Sequence, residues 1–302
     1  MILCAGEALI DMVPRPDGGF RPLPGGSVYN TALALGRLGA PTGFLWPLSR
    51  DSFAGLLTGP LGKAGVDMSA CPRSNRPTAL AYVTFAKGEA RYAFRDRGSA
   101  GRMFAVADLP RVRPDLSALF IGGISLAAEP CGTTVETFAA ETAASGVPVM
   151  IDANVRPFFI TDETAYRRRL DRLFRLSHVV KLSLEDCAWL WPGREPAAIS
   201  AHLLGCGVRL VLITTGAGGA CATTPRHHLR TPAKAARVAD TIGAGDSFNA
   251  GLLDALLRQG ALGGNLADLD EHRLTDALDR ASRVAAVTVS RAGADPPWAH
   301  EL

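Results

Sequence analysis

Short apolar runs recur along the chain, and most are followed by a stretch whose apolar positions fall three and four residues apart. Residues 1–5 are such a run, closed by Gly6, and read as a buried first strand. Runs at 43–48, 118–123, 147–151, 178–182 and 209–214 repeat the pattern. Helical spacing predicts helices over 25–39, 51–64, 132–145, 162–175 and about 273–290, with Gly39 and Gly65 as stops. Beyond Asp246, apolar residues at 248, 252, 253, 256 and 257 predict one more. Alternating strands and helices predict an α/β fold, a mainly parallel sheet with helices on both faces.

Two stretches interrupt this rhythm. Residues 12–24 carry Pro14, Pro16, Pro22 and Pro24 with Gly18 and Gly19, and read as an irregular excursion. Residues 80–85 and 91–95 are rich in β-formers, with Ala86-Lys87-Gly88-Glu89 between them, and read as a hairpin. Together they predict a small β-sheet lid built from 12–24 and 72–100. The large domain would then comprise 1–11, 25–71 and 101–302.

Composition narrows the class. The chain has 302 residues, 47% apolar and 20% charged, which suits one large α/β domain with a small appendage. A net charge of +3 is too small to imply a nucleic-acid partner. Helix 162–175 bears Arg167, Arg168, Arg169, Arg172 and Arg175. It also holds Asp162, Glu163 and Asp171 and lacks an aromatic platform, so it reads as a solvated face. Six cysteines, none in a Cys-x-x-Cys pair, fit buried thiols in a reducing cytoplasm. The N-terminus lacks a signal-peptide pattern and no apolar run is long enough to span a bilayer. A cytoplasmic protein without a membrane partner is expected.

The densest chemistry lies at Asp240-Thr241-Ile242-Gly243-Ala244-Gly245-Asp246. A loop of small residues feeding a helix start exposes N–H groups to an anion, and the helix dipole adds positive potential. A carboxylate beside such a site suits phosphoryl transfer; an Asp-capped helix after a tight turn has the same look. Glu7 and Asp11 follow the first strand, where α/β folds place ligands. Gly25 and Gly26 open a helix in which Asn30 can donate and accept hydrogen bonds to a hydroxyl. In Asp152-Ala153-Asn154-Val155-Arg156-Pro157, Arg156 either meets a phosphate or forms a structural pair with Asp152. Glu185 and Asp186 either hold Mg²⁺ through water or favour a helix's first turn. Arg95 and Arg97 either reach a polyhydroxylated substrate or belong to a solvated charge cluster. Thr214 and the glycine turn from Gly216 to Gly219 either contact a nucleotide or close a β-turn. A P-loop fails because Gly62-Lys63 runs into Ala64, and no Gly-x-Gly-x-x-Gly opens the first βαβ unit.

In this order the motifs resemble the PfkB/ribokinase family of sugar kinases. The 240–246 stretch with Asn249-Ala250-Gly251 is similar to the family's C-terminal signature, and Gly25-Gly26-x-x-x-Asn30 to its N-terminal one. Gly6-Glu7 with Asp11, Asp152-x-Asn154-x-Arg156-Pro157, Lys181-x-Ser183 and Thr214-x-Gly216 fall at family-like positions. The resemblance implies a ribokinase-like fold and an ATP-dependent kinase acting on a primary hydroxyl of a sugar. It implies Asp246 as catalytic base, Gly243, Ala244 and Gly245 as anion hole, and Arg156 on the phosphates. Asp11, Gly25, Gly26 and Asn30, with Phe94, Arg95 and Arg97, would contact the sugar. Lys181, Ser183, Thr214, Gly216, Gly219 and Ser282 would serve the nucleotide, Asp186 and Glu185 Mg²⁺, and Asp240 and Thr241 a monovalent cation such as K⁺. Two positions depart from the family pattern. Val28 stands where a small residue or Pro is usual, and the Asn-x-x-Glu motif becomes Ser183-Leu184-Glu185-Asp186. Lys181-x-Ser183 and the 94–102 segment are similar to the fructokinase branch, so fructose is the expected substrate. A 2-keto-3-deoxygluconate or nucleoside kinase, a sugar-binding regulator and a nicotinamide enzyme are the competing readings. A homodimer through the lid is also expected.

Overall fold

The computed structural model describes residues 1–86, 89–262, 266 and 269–302. Its strands are β1 (Ile2–Ala5), β2 (Leu9–Pro14), β3 (Phe20–Gly25), β4 (Thr42–Leu45), β5 (Leu48–Ser49), β6 (Arg73–Ser74), β7 (Leu80–Ala86), β8 (Glu89–Arg95), β9 (Ala118–Gly122), β10 (Val149–Asp152), β11 (Val179–Ser183), β12 (Leu210–Thr214), β13 (Ala220–Thr223) and β14 (His228–Thr231). Its α-helices are α1 (Ser27–Arg37), α2 (Ala54–Lys63), α3 (Cys131–Ala144), α4 (Glu163–Leu176), α5 (Leu184–Leu190), α6 (Pro196–Gly205), α7 (Ala244–Arg258) and α8 (Glu271–Val289).

The apolar runs assemble into an eight-stranded sheet in the order β14-β13-β12-β11-β10-β9-β1-β4. The strands from β12 to β4 are mutually parallel, and β13 and β14 add antiparallel at one edge. Every residue of β1, β9 and β10 is buried, as expected where both faces of a parallel sheet are covered. The strand order reverses at β1, which has β4 on one side and β9 on the other. Such a reversal opens a crevice at the carboxyl ends of the strands, and Glu7, Gly123 and Asp152 lie there.

A second sheet runs β3-β2-β7-β8. The expected hairpin is its β7–β8 pair; the turn residues Lys87 and Gly88 lie outside the described residues. The irregular excursion expected over 12–24 is instead largely strand, because β2 pairs antiparallel with β3. Pro22 and Pro24 sit on β3, an edge strand, where a missing N–H breaks no ladder on the outer side. The 43–48 run is split between β4 and β5 by Trp46-Pro47.

Helix α4 also differs from expectation. Its arginines do not form one solvated face: Arg169 is buried, donating to Leu126 O at 2.9 Å and pairing with Glu129 and with Glu136 at 3.1 Å. Arg167 stacks over Trp189 at 4.0 Å. Among the described residues no helix is long and apolar enough to cross a membrane.

Candidate active site

Helix α7 starts from Gly243, whose φ of 76° is left-handed, a conformation that favours glycine. A Cβ there would also stand 2.7 Å from the Ala294 Cβ. Gly243 supplies no capping side chain, and the first N–H groups of a helix lack intrahelical partners. Ala244 donates its N–H to Thr241 O at a long 3.3 Å. One turn in, the Asp246 side chain is buried, with Asn30 Nδ2 donating to its Oδ2 at 2.9 Å. Burial pushes the Asp246 carboxyl up to about 6; the Asn30 hydrogen bond opposes this rise and the Asp152 charge adds to it.

The opposite wall comes from the ends of β10 and β11. Lys181 Nζ forms a buried ion pair with Asp152 Oδ2 at 2.9 Å, and Asn249 Nδ2 donates to the same oxygen at 2.7 Å. Burial alone would lower Lys181, but the carboxylates of Asp152, Asp186 and Asp246 outweigh it and hold the ammonium charged. A Cβ on Gly245 would stand 3.3 Å from Lys181 Nζ, so the cation sits beside the 243–245 segment.

These groups share a cavity of about 400 Å³. The second sheet contributes Leu9, Asp11 and Phe94. The large sheet and its helices contribute Gly26, Asn30, Arg156, Lys181, Thr241, Gly243, Gly245 and Asp246. Burial pushes Asp11 up to about 6. Gly25 makes room for it, since a Cβ there would stand 2.2 Å from Asp11 Oδ2.

Other expected residues lie elsewhere. Arg95 and Arg97 are exposed and outside the cavity wall, while Asp96 between them pairs with Arg102 at 2.9 Å. Asp186 does not face the cavity either. Its two oxygens accept N–H bonds from Val155 at 2.7 Å and Ser183 at 2.8 Å, and Ser183 with Asp186 forms the capping box of α5. Glu185 is exposed. Asp186, expected with Glu185 to hold Mg²⁺ through water, serves here in the capping box of α5. Among the described residues no group of three or more His, Cys, Asp or Glu could hold a metal. Ser183, Thr214, Gly216, Gly219 and Ser282 are outside the cavity, with Ser183 and Thr214 at the ends of the neighbouring strands β11 and β12. Asp240 accepts N–H bonds from Ile242 at 3.0 Å and Gly293 at 2.9 Å.

Several lining residues, among them Phe158, Gly123 and Glu7, were given no role in the sequence. Phe158 stacks on Phe94 with ring centroids 5.7 Å apart, and only its place after Arg156-Pro157 hints at this. Gly123 belongs to the Gly122-Gly123 pair that ends β9. Glu7 was visible as a carboxylate past the first strand, but without a partner. Its Oε1 accepts from Ser27 N–H at 3.0 Å and its Oε2 from Ser125 N–H at 3.1 Å. Burial pushes Glu7 up to about 7, against the pull of these amides.

A buried carboxylate at a helix N-terminus with a cation beside the loop that precedes it is an arrangement that suits phosphoryl transfer. The chain matches the family model of the pfkB family carbohydrate kinases over residues 1–301, and it belongs to that family. It is 43% identical over 284 residues to a fructokinase of Rhizobium leguminosarum bv. trifolii, covering 92% of this chain and 87% of that protein. A fructokinase of Escherichia coli is 31% identical, over 96% of this chain and 93% of its own. The crystal structure of a Xylella fastidiosa fructokinase with bound ATP superposes with a TM-score of 0.91 at 29% identity, covering 97% of this chain and 93% of that one. The chain is an ATP-dependent sugar kinase with a ribokinase-like fold.

Proposed function

We propose that the enzyme transfers the γ-phosphoryl group of ATP to a primary hydroxyl of fructose. The observation that carries this reading is the buried Asp246–Asn30 pair at the start of α7, open to the same cavity as Asp11, Lys181 and Arg156. Asp11, Asn30 and the Gly26 backbone hold the sugar's hydroxyls. Asp246 accepts the proton of the attacking hydroxyl. In a loose transition state that proton leaves late, so placement matters more than basicity. The amides of Gly243, Ala244 and Gly245, with the helix dipole, hold charge on the moving group, and Lys181 and Arg156 balance the phosphates.

Mg²⁺ enters with the nucleotide as part of the substrate, with Asp186 and Glu185 as candidates to meet it through water. Asp240 and Thr241 are the candidates for a K⁺ site, to be tested by turnover in potassium against tetramethylammonium salts. The second sheet, with Phe94 against Phe158 and Phe159, acts as the lid, and its exposed edge is the candidate homodimer contact, measurable by sedimentation. A reducing cytoplasm suits the free cysteines, of which Cys4, Cys71, Cys131 and Cys187 are buried.

Fructose is favoured by the relatives' names. The exposure of Arg95 and Arg97 removes the argument for an acidic acceptor such as 2-keto-3-deoxygluconate. A nucleoside acceptor is the second reading, favoured by the Phe94–Phe158 wall. Coupled ADP release over fructose, 2-keto-3-deoxygluconate, ribose and a nucleoside panel tests this. The expected result is the highest kcat/KM with fructose. A higher value for another acceptor overturns fructose, and silence with all of them overturns the catalytic reading in favour of a sugar-binding regulator.

A further inference from the structure

We infer that Glu7 is a positioning residue: its carboxylate, at the end of β1, caps helix α1 in trans and holds Asn30 in place against Asp246. Helix α1 has no cap of its own. Gly26 at its N-cap offers no side chain, and its first turn contains no acidic residue. Glu7 supplies both missing functions from 20 residues upstream, accepting Ser27 N–H on Oε1 at 3.0 Å. Its main-chain oxygen accepts Tyr29 N–H at 3.2 Å. In its ionised form the carboxylate also complements the α1 dipole.

The second carboxylate oxygen takes Ser125 N–H at 3.1 Å, from a segment 118 residues away. One side chain therefore ties the start of α1 to the turn after β9. Gly26, Ser27, Asn30 and Gly123, on the two tied segments, all line the sugar cavity. The fit leaves no spare room. A Cβ on Gly123 would stand 2.1 Å from Glu7 Oε1, and one on Gly26 2.5 Å from the Glu7 main-chain oxygen. Asn30 lies one turn into α1 and donates to Asp246, so the tilt of α1 set by Glu7 decides whether that bond forms.

Glu7→Gln keeps the shape but turns one acceptor into an NH₂ facing an amide N–H, leaving a buried donor unpaired. Hydrogen–deuterium exchange on the sugar-free variant is expected to rise about tenfold at 27–31 and 123–126, with α4 unchanged. With fructose and ATP, the sugar KM rises about tenfold while the ATP KM stays within about twofold. Glu7→Asp, which keeps both acceptors one methylene short, falls between wild type and Glu7→Gln. Unchanged exchange at 27–31 overturns the inference whatever the sugar. Exchange that rises throughout, with both KM values rising together, also overturns it and leaves Glu7 a core residue only. The kinetic arm rests on the reading of Asp246 as base, whose failure appears separately as surviving turnover in Asp246→Asn.

Discussion

At Asp246 the burial that tunes the carboxylate also destabilises it. Its pKa is raised to about 6, chiefly by desolvation, so the carboxylate proposed as base is ionised above that value. The sugar-limited kcat/KM should be flat above about pH 7 and fall as pH drops through about 6, with the steepness read from a rate profile. The stability sign is opposite. A carboxyl whose folded pKa is raised binds protons more readily folded than unfolded, so its contribution to stability is lost as pH rises from about 4 through about 6 and stays lost above that. Asp246→Asn should therefore lower kcat by about 10²–10⁴, leave sugar KM nearly unchanged, and raise Tm at pH 8 by about 2–4 °C. A scanning-calorimetry Tm below wild type would remove the burial argument. Asp246 was legible in sequence because its loop, helix start and charge are contiguous. Glu7 stood out only as a carboxylate past the first strand; its tie between α1 and the turn after β9 was not legible, because its two amide partners lie 20 and 118 residues away and only the folded sheet brings them together.

Between elements, small residues decide how closely helices approach. Gly251 on α7 faces α8: a Cβ there would stand 2.7 Å from the Ala281 Cα and 3.1 Å from Arg280 O. Backbone cannot yield as a flexible side chain can, so Gly251→Val must push α7 and α8 apart. The expected loss is about 1–3 kcal/mol in urea denaturation, with a lower kcat because the segment proposed to hold the phosphoryl charge starts the same helix. Gly55 in α2 is the contrast, since a Cβ added there would meet nothing within 4 Å. Gly55→Ala should instead gain about 0.4–1 kcal/mol through the unfolded state. Equal effects from both substitutions would show that the α7–α8 approach is not tight. Periodicity foretold α7 and α8 because their apolar positions are local. It did not foretell β3, whose Pro22 and Pro24 read as loop until an edge position makes them harmless. Nor did it foretell the burial of Arg169, which depends on Glu129 and Glu136 from α3 and the turn before it.

Over the whole molecule, the cavity is lined from two sheets, and Ile10 of the small one is buried in the same core as the large one. Asp11 stands on β2 of the small sheet, while Asn30 and Asp246 belong to helices on the large one. Phe94 of β8 reaches across to Phe159 at 5.0 Å, edge to face. A sugar gripped from both sides adds a link that the free protein lacks, so sugar without nucleotide should stabilise the native state by mass action. At 100 times Kd the gain is about 2.7 kcal/mol, visible as a higher Tm. Asp11→Asn should keep the fold, since it removes a charge that burial already disfavours. It should abolish most of the shift with fructose and leave the shift with ATP intact, because Asp11 stands on the small sheet, whereas Lys181 and residues 243–245 belong to the large sheet and its helix. A fructose shift of wild-type size in Asp11→Asn would mean that the small sheet does not grip the sugar. Loss of both shifts together would mean that the two halves of the cavity fold as one unit, with no separate cover.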